Sequence, residues 1–391
     1  MKNLYLNKTQ FNAELEKCLK CPAKPCMKAC PVHCSPHDFI AAAQNNQMEK
    51  AAESIARQNV LGEVCGLICP DHFCMKACLR SYVDYPIRIP AVQAYIMKQA
   101  RENKWIAYPV DRTQKEKIAV VGSGPAGLGA VTEFVRQGYA VDVFEQDERI
   151  GGALNLIPYN RLPREILAYE WGLVQQNPLV TMHLKTKINS YEALLQDGFA
   201  GVIAAVGEQK ERRLNIEGEN LAVSYVQYLR EPEKYAADAR VAVIGGGAVA
   251  VDCAMSAKNA GVATVEMFVR RRLDHMRITQ AERQMLLSGG VDITTMTRVA
   301  QIEKQNDKLV LYTIKTQFDE QGKLVDVEKT LVPRGGFDRV VLALGSTRGE
   351  EIYNSARIVF AGDVVQGGST AVEAVASGKN AAQILLENLK N

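Results

Sequence analysis

The sequence predicts an α/β chain in which two strand–glycine–helix units follow a helical, cysteine-rich N-terminal region. Three observations carry that expectation. Nine of the ten cysteines lie between Cys18 and Cys78. The apolar run Lys117–Val121 enters Gly122-Ser-Gly124-Pro-Ala-Gly127. The run Arg240–Ile244 enters Gly245-Gly-Gly247 in the same way. At 391 residues, with 47% hydrophobic and 23% charged side chains, the composition is that of an ordinary globular protein with room for two or three domains. The apolar stretches Gly201–Gly207 and Val340–Gly345 fall far short of the roughly 18 residues a membrane helix needs. No secretory signal is visible at Met1–Lys8, so a cytoplasmic location is expected. The net charge of +3, from 47 basic and 44 acidic side chains, argues against nucleic acid or an anionic membrane as partner.

Residues 1–115 read as the helical domain, with helix-like stretches at Phe39–Asn59 and Ala91–Asn103 and a proline-punctuated loop at Tyr85–Pro90. Cytosolic thiols stay reduced, so a cysteine cluster here points to metal more than to disulfides. The unit Cys21-Pro-Ala-Lys-Pro-Cys26-Met-Lys-Ala-Cys30 recurs, cysteine for cysteine, as Cys69-Pro-Asp-His-Phe-Cys74-Met-Lys-Ala-Cys78. The repeat predicts two similar half-sites. Two structural zinc sites are one alternative, although zinc favours paired C-x2-C knuckles in loops, and the C-x3-C spacings here fall on helix-like stretches.

Residues 116–210, with 346–391, read as the first dinucleotide-binding domain. Gly122 allows the tight turn, Gly124 lets backbone N–H groups approach a pyrophosphate, and Gly127 lets the helix pack on the strand. Pro125 and Ala126 open that helix. The second strand, Ala140–Phe144, ends in Glu145, a carboxylate placed for ribose hydroxyls. A merely structural glycine turn is the alternative. Near the C-terminus a strand runs into Gly362-Asp363, and Ser369-Thr370-Ala371 begins the last helix. An aspartate there suits a ribityl hydroxyl, and the helix N-terminus suits the flavin edge that gains negative charge on reduction. A flavin is therefore expected in this domain.

Residues 239–345 read as a second such domain, after a charged connector with a short helix at 208–238. Its loop is Gly245-x-Gly247-Ala248-x-Ala250, and its second strand, Thr264–Val269, ends in Arg270-Arg271-Arg272. A ribose 2′-phosphate repels a carboxylate at that position and suits guanidinium groups, which favours NADPH. A solvated basic strand end is the alternative. The strands closing on Ala205–Gly207 and Ala343–Gly345 read as the crossings between domains. Cys253 reads as a core residue and the five histidines as structural or solvated. Hydride transfer needs alignment more than acid–base help, so no catalytic side chain is expected.

The glycine loops, Glu145, Gly151-Gly152 and Gly362-Asp363 resemble the two-dinucleotide-binding-domain flavoproteins. With the cysteine-rich region and Ile157-Pro158…Arg161-Leu-Pro163, the whole chain is similar to the glutamate synthase small subunit and the N-terminal half of dihydropyrimidine dehydrogenase. The resemblance implies two 4Fe–4S clusters in the helical domain, an FAD domain that includes Gly152 and Arg161, and an NADPH domain inserted into it. Cys18-x2-Cys21-x4-Cys26-x3-Cys30-Pro31 is close to the bacterial ferredoxin run, whose fourth cysteine crosses to the other cluster. By resemblance Cys18, Cys21, Cys26 and Cys78 hold one cluster. Cys30, Cys69, Cys74 and Gln93 hold the second, with Cys65 as the alternative to Gln93. Glutamine at that place tilts the resemblance to the pyrimidine branch. It implies electron delivery to a partner subunit in a hetero-oligomer, of the FMN-containing pyrimidine-reducing type. A glutamate synthase large subunit, another acceptor for a stand-alone reductase, or a redox-sensing scaffold are the alternatives. No C-x-x-C lies in the third region, so the flavin has no obvious thiol acceptor.

Overall fold

The computed structural model describes residues 4–108, 113–349, 351–353 and 355–390. The chain divides into two compact units: residues 1–155, 159–209 and 348–391 form one, and 156–158 with 210–347 form the other.

In the first unit, helices Lys8–Glu16, Pro36–Gln44, Met48–Gln58, Gly62–Ile68 and Ile89–Asn103 bury Phe11, Phe39, Ile40, Ile55, Leu61, Val92 and Ile96. The helix expected over Phe39–Asn59 is two helices. The chain breaks at Asn45-Asn46-Gln47, where Asn46 takes a left-handed φ of 57°, a conformation asparagine tolerates. The cysteines of the second repeat also depart from expectation, because Cys74 and its neighbours form turns rather than helix.

The same unit contains a parallel sheet in the order Ile358–Phe360, Gly201–Ala204, Lys117–Val121, Ala140–Phe144, Val180–His183. Its central strands are continuous β-branched or small apolar runs because both faces are covered. Helices Pro125–Arg136 and Ala371–Asn388 pack closely on each other. A Cβ at Gly378 would lie 1.8 Å from the Ala126 carbonyl oxygen, so only glycine admits this approach.

The second unit holds a parallel sheet in the order Val223–Ser224, Arg339–Leu342, Arg240–Ile244, Thr264–Val269, Asp292–Thr295. An antiparallel sheet follows, built from Thr297–Gln305, Lys308–Phe318, Leu324–Asp326 and Val332–Phe337. The main stretch of this compact unit, 210–347, takes in the segment before 239 as well. The segment taken for a charged connector supplies the edge strand Val223–Ser224 and buries Tyr225, Tyr228, Leu229 and Tyr235 in the core. Among the described residues, no helix is long and apolar enough to cross a membrane.

Candidate functional site: a dinucleotide cradle beside two cysteine sets

The first glycine loop has the sterics its sequence demands. Gly122 sits at φ 105°, and a Cβ there would lie 2.3 Å from the Ala205 carbonyl oxygen. At Gly127 a Cβ would lie 1.9 Å from the Gly122 oxygen. Gly124, between them, has nothing within 4 Å of a Cβ, so its outward side is open. Pro125 and Ala126 begin the helix, where unpaired N–H groups face the loop. Glu145 is buried at the end of its strand. Its Oε2 accepts from the Ser123 N–H at 3.0 Å and hydroxyl at 2.5 Å, and its Oε1 accepts from the Asp147 N–H at 2.9 Å.

Other predicted residues converge on this loop. The Gly151 N–H donates to the Ser123 carbonyl, and a Cβ on Gly152 would come within 3.0 Å of the Gly124 Cα. Gly362, at φ 79°, faces the Ala126 methyl. Asp363 follows, its carboxyl pushed up by burial while it accepts from the Ser369 hydroxyl at 2.5 Å. Thr370 caps the last helix through a reciprocal box with Glu373, and Ala371 is its first residue. The cradle therefore has an open wall at Gly124, an acid at Glu145 and a helix N-terminus at Thr370. That shape and donor set fit a dinucleotide carrying a flavin. Arg161 lies half-buried ahead of the helix Arg164–Gln175, and Arg164 holds the intervening turn through the carbonyls of Leu154, Leu162 and Asn155.

In the second unit the loop repeats the arrangement. A Cβ on Gly245 would lie 2.2 Å from the Ala343 oxygen, whereas Gly247 has nothing within 4 Å. Ala248 starts the helix and Ala250 is fully buried beneath the turn. Of the three arginines, Arg272 pairs with Asp274. Arg270 and Arg271 make no ion pair among the described residues. Their carbonyls are fixed, Arg270 by the Thr316 hydroxyl and Arg271 by the Met296 N–H.

Cys18, Cys21, Cys26 and Cys78 line one cavity, together with Ile40, Ile87 and Ile89. Among the described residues no three potential ligands converge as tightly as a single metal ion requires. Four cysteines spread around one cavity suit the corners of a larger cluster. Burial raises the Cys18 and Cys26 thiols, and neighbouring cysteines add to it. The second set gathers Cys30, Cys69 and Cys74 with Cys65 and Cys34. Burial pushes Cys74 up to about 12, with Cys30 beside it. Cys69 and Cys65 share a hydrogen bond that raises the former and lowers the latter. Gln93 is buried on the neighbouring helix, and its Nε2 donates to the Gly62 carbonyl at 2.7 Å. The thiol in contact with Cys69 is thus Cys65, while Gln93 reaches the start of the helix that carries it. Cys253 is fully buried in the second unit.

Several side chains that tie the cysteine region to the rest of the unit were not legible from motifs. Glu170 is buried and accepts from the Glu63 and Val64 N–H groups at 2.6 and 3.1 Å, at the start of the Cys65 helix. Lys379, on the last helix, donates to the Gln58 carbonyl at 2.8 Å and adds positive charge beside Cys30 and Cys34. Arg136 donates to the Ala56 carbonyl at 2.7 Å. Only long-range folding brings these groups to the cysteine region. His183 stacks on Phe144 and contacts Asp142 at 3.0 Å, a structural role.

Residues 2–105 match the family described as dihydropyrimidine dehydrogenase domain II, 4Fe-4S cluster. Residues 116–378 match the pyridine nucleotide-disulphide oxidoreductase family. The chain is 28% identical over 397 residues to the NAD-dependent dihydropyrimidine dehydrogenase subunit PreT of Escherichia coli K12, covering 95% of this chain and 92% of that one. It is 28% identical over 432 residues to the glutamate synthase (NADPH) small chain of Halomonas elongata, covering 96% and 90%. FprA from Mycobacterium tuberculosis in complex with NADPH shares the fold, with a TM-score of 0.61 at 17% identity over 71% of this chain and 85% of that one. The chain belongs to the pyridine nucleotide-disulphide oxidoreductase family, as an NAD(P)H-dependent flavin and iron–sulfur oxidoreductase with an N-terminal 4Fe–4S domain.

Proposed function

We propose that the chain is a cytoplasmic electron-input subunit that takes hydride from NADPH and delivers single electrons to a partner subunit reducing a pyrimidine base. The observation that carries this reading is the placement of two cysteine sets and an open dinucleotide cradle within one compact unit. When bound, the flavin accepts two electrons together and the clusters pass them on singly. The chain's own residues set this up. Gly122, Gly124, Gly127 and Glu145 orient the dinucleotide, with Gly152 and Arg161 bordering it, and Asp363, Ser369, Thr370 and Ala371 face its flavin end. Gly245, Gly247, Ala248 and Ala250 receive the nicotinamide dinucleotide, and Arg270 and Arg271 select the 2′-phosphate.

We assign Cys18, Cys21, Cys26 and Cys78 to one cluster, and Cys30, Cys69, Cys74 and Gln93 to the other. The contact between Cys65 and Cys69 favours a second assignment, with Cys65 in place of Gln93. Cys65→Ser and Gln93→Ala distinguish them, because only loss of the true ligand removes one cluster's signal from the electron paramagnetic resonance spectrum.

The pyrimidine partner is supported by the similarity to PreT and by the domain II match, and a glutamate synthase large subunit is the competing partner. The test is anaerobic purification with iron, sulfide and flavin analysis, followed by titration with NADPH and NADH. Each candidate large subunit is then added. About eight irons and one FAD per chain, preferential bleaching by NADPH, and uracil reduction only with the FMN-containing partner are expected. Pyrimidine reduction by the chain alone, or zinc in place of iron, would overturn the reading.

A further inference from the structure

We infer that the loop Leu79–Arg88, with the lysines around it, is the docking surface for the electron-accepting partner, a protein whose redox centre is ringed by acidic side chains. The inference rests on the electron-input reading. Both ends of this loop line the cavity that Cys18, Cys21, Cys26 and Cys78 share: Leu79 and Arg80 at one end, Ile87 at the other. Its middle stands in solvent, with Tyr82, Val83 and Tyr85 exposed by 87%, 65% and 80%, and Leu19 beside the same cavity by 47%. Large apolar side chains left in solvent on a loop whose ends line a redox site mark a contact surface, and exposed tyrosines are common anchors of such contacts.

The loop is pre-formed. The Ser81 hydroxyl donates to the Cys78 carbonyl at 2.8 Å and the Val83 N–H to the Arg80 carbonyl at 2.8 Å. Arg80 grips Asp84 through two bonds of 2.6 and 2.7 Å. Arg88 is tied to Glu14 at 2.9 Å. A surface already ordered loses little entropy on binding. Its rim is basic. Lys20, Lys28 and Lys76 are exposed and in no ion pair among the described residues; of the acids on these segments Asp84, Asp38 and Glu14 are paired, Glu14 with two cations, and only Asp71 and Glu16 are in no ion pair among the described residues. The complementary partner surface is therefore acidic, and attraction between the two speeds encounter at low salt.

Two one-electron haem proteins of opposite charge serve as probes: acidic cytochrome b5 and basic cytochrome c. One NADPH reduces two ferric haems to ferrous and releases NADP+ and a proton. In stopped flow at low salt, cytochrome b5 is expected to be reduced at least tenfold faster than cytochrome c, with the advantage shrinking as salt rises. The double variant Tyr82→Ser/Tyr85→Ser slows cytochrome b5 about tenfold, yet leaves flavin bleaching and ferricyanide reduction unchanged. Equal rates for the two cytochromes, or a variant as fast as the parent chain, overturn the docking surface. A flavin that NADPH does not bleach overturns the electron-input reading instead, and the docking surface with it.

Discussion

Replacing Gly124 and Gly127 singly by alanine separates binding from folding within one loop. At Gly127 the new methyl would stand 1.9 Å from the Gly122 carbonyl oxygen, a backbone atom with no rotamer to escape into. Helix propensity favours alanine by about 1 kcal/mol, but overpacking of this kind costs about 1–3 kcal/mol or more. Relieving a 1.9 Å contact requires moving the loop itself, so the upper end applies and the net loss is about 2 kcal/mol. At Gly124 the backbone already has φ −72°, which alanine adopts freely, and the methyl meets nothing within 4 Å. Folding then gains about 0.4–1 kcal/mol from a stiffer unfolded chain. The methyl instead occupies the space through which a pyrophosphate would approach the helix N-terminus. The assay is flavin absorbance per chain together with the melting midpoint of the flavin-free protein. Gly124→Ala is expected to melt at or slightly above the parent while binding FAD at least tenfold more weakly. Gly127→Ala is expected to melt several degrees lower, at about 2–4 °C per kcal/mol. A Gly124→Ala protein that purifies with a full complement of flavin would refute the assignment of this loop.

The same logic in the second unit gives Gly247→Ala, where φ is −111° and the methyl again meets nothing within 4 Å; flavin content should be unchanged while the NADPH concentration for half-bleaching rises at least tenfold. Lys379→Met removes a positive charge beside Cys30 and Cys34 and disfavours the more negative, reduced state of the neighbouring cluster. Potentiometric titration should show that cluster's reduced fraction fall about threefold at fixed potential, about 30 mV for one electron, with Lys379→Arg restoring it. Burial by itself raises the Glu14 carboxyl, but bonds from Arg88 and Lys17 outweigh it and hold the group below the ordinary range. Its stabilisation is thus complete above the unfolded carboxylate value, near 4.3, and is lost as pH falls through the lower folded value. Hydrogen exchange at Arg88 should lose protection on that descent, and Glu14→Gln should lose about 1.5–3 kcal/mol of it already at pH 7. Protection that ignores both would show the Glu14–Arg88 tie to be inert.

What the sequence revealed depended on how local the physics was. Gly122 and Gly127 were readable because a missing Cβ has one steric meaning within a strand–turn–helix, and the structure supplies the carbonyls a Cβ would meet, while Gly124 opens on empty space. The cysteine repeat suggested two half-sites, whereas the grouping of Cys18, Cys21, Cys26 and Cys78, which line one cavity, came from the family resemblance and not from the spacing. In the segment 208–238 the short helix was legible, at Tyr225–Arg230, but the burial was not, because charges dominate a linear reading while Tyr225, Tyr228 and Tyr235 bury their rings in the core. The break at Asn46 was hidden within a continuous helix-compatible composition. Glu170 and Lys379 carry no motif, because their partners lie at separations of 107 and 321 residues.

Those long-range partners say how the cysteine region is held. The helix Met48–Gln58 ends on the carbonyls of Ala56 and Gln58, and each receives a cation, Arg136 or Lys379, from the helices flanking the dinucleotide cradle. The helix Gly62–Ile68 begins with N–H groups that Glu170 accepts, again from the flavin side, and Glu63 beside it is locked by Arg101 and the Tyr5 hydroxyl. Cations at helix C-termini and an acceptor at an N-terminus follow the helix dipole. Of these links only the Glu170 bonds are buried, and the others are part-buried, so each adds about 0.5–3 kcal/mol at most. They therefore act chiefly as registers that permit one arrangement. A layer that merely stored metal could hinge on its neighbour without loss. If electrons pass between a flavin in the cradle and a cluster on these cysteines, helices pinned at these ends would hold the two sites at a fixed separation.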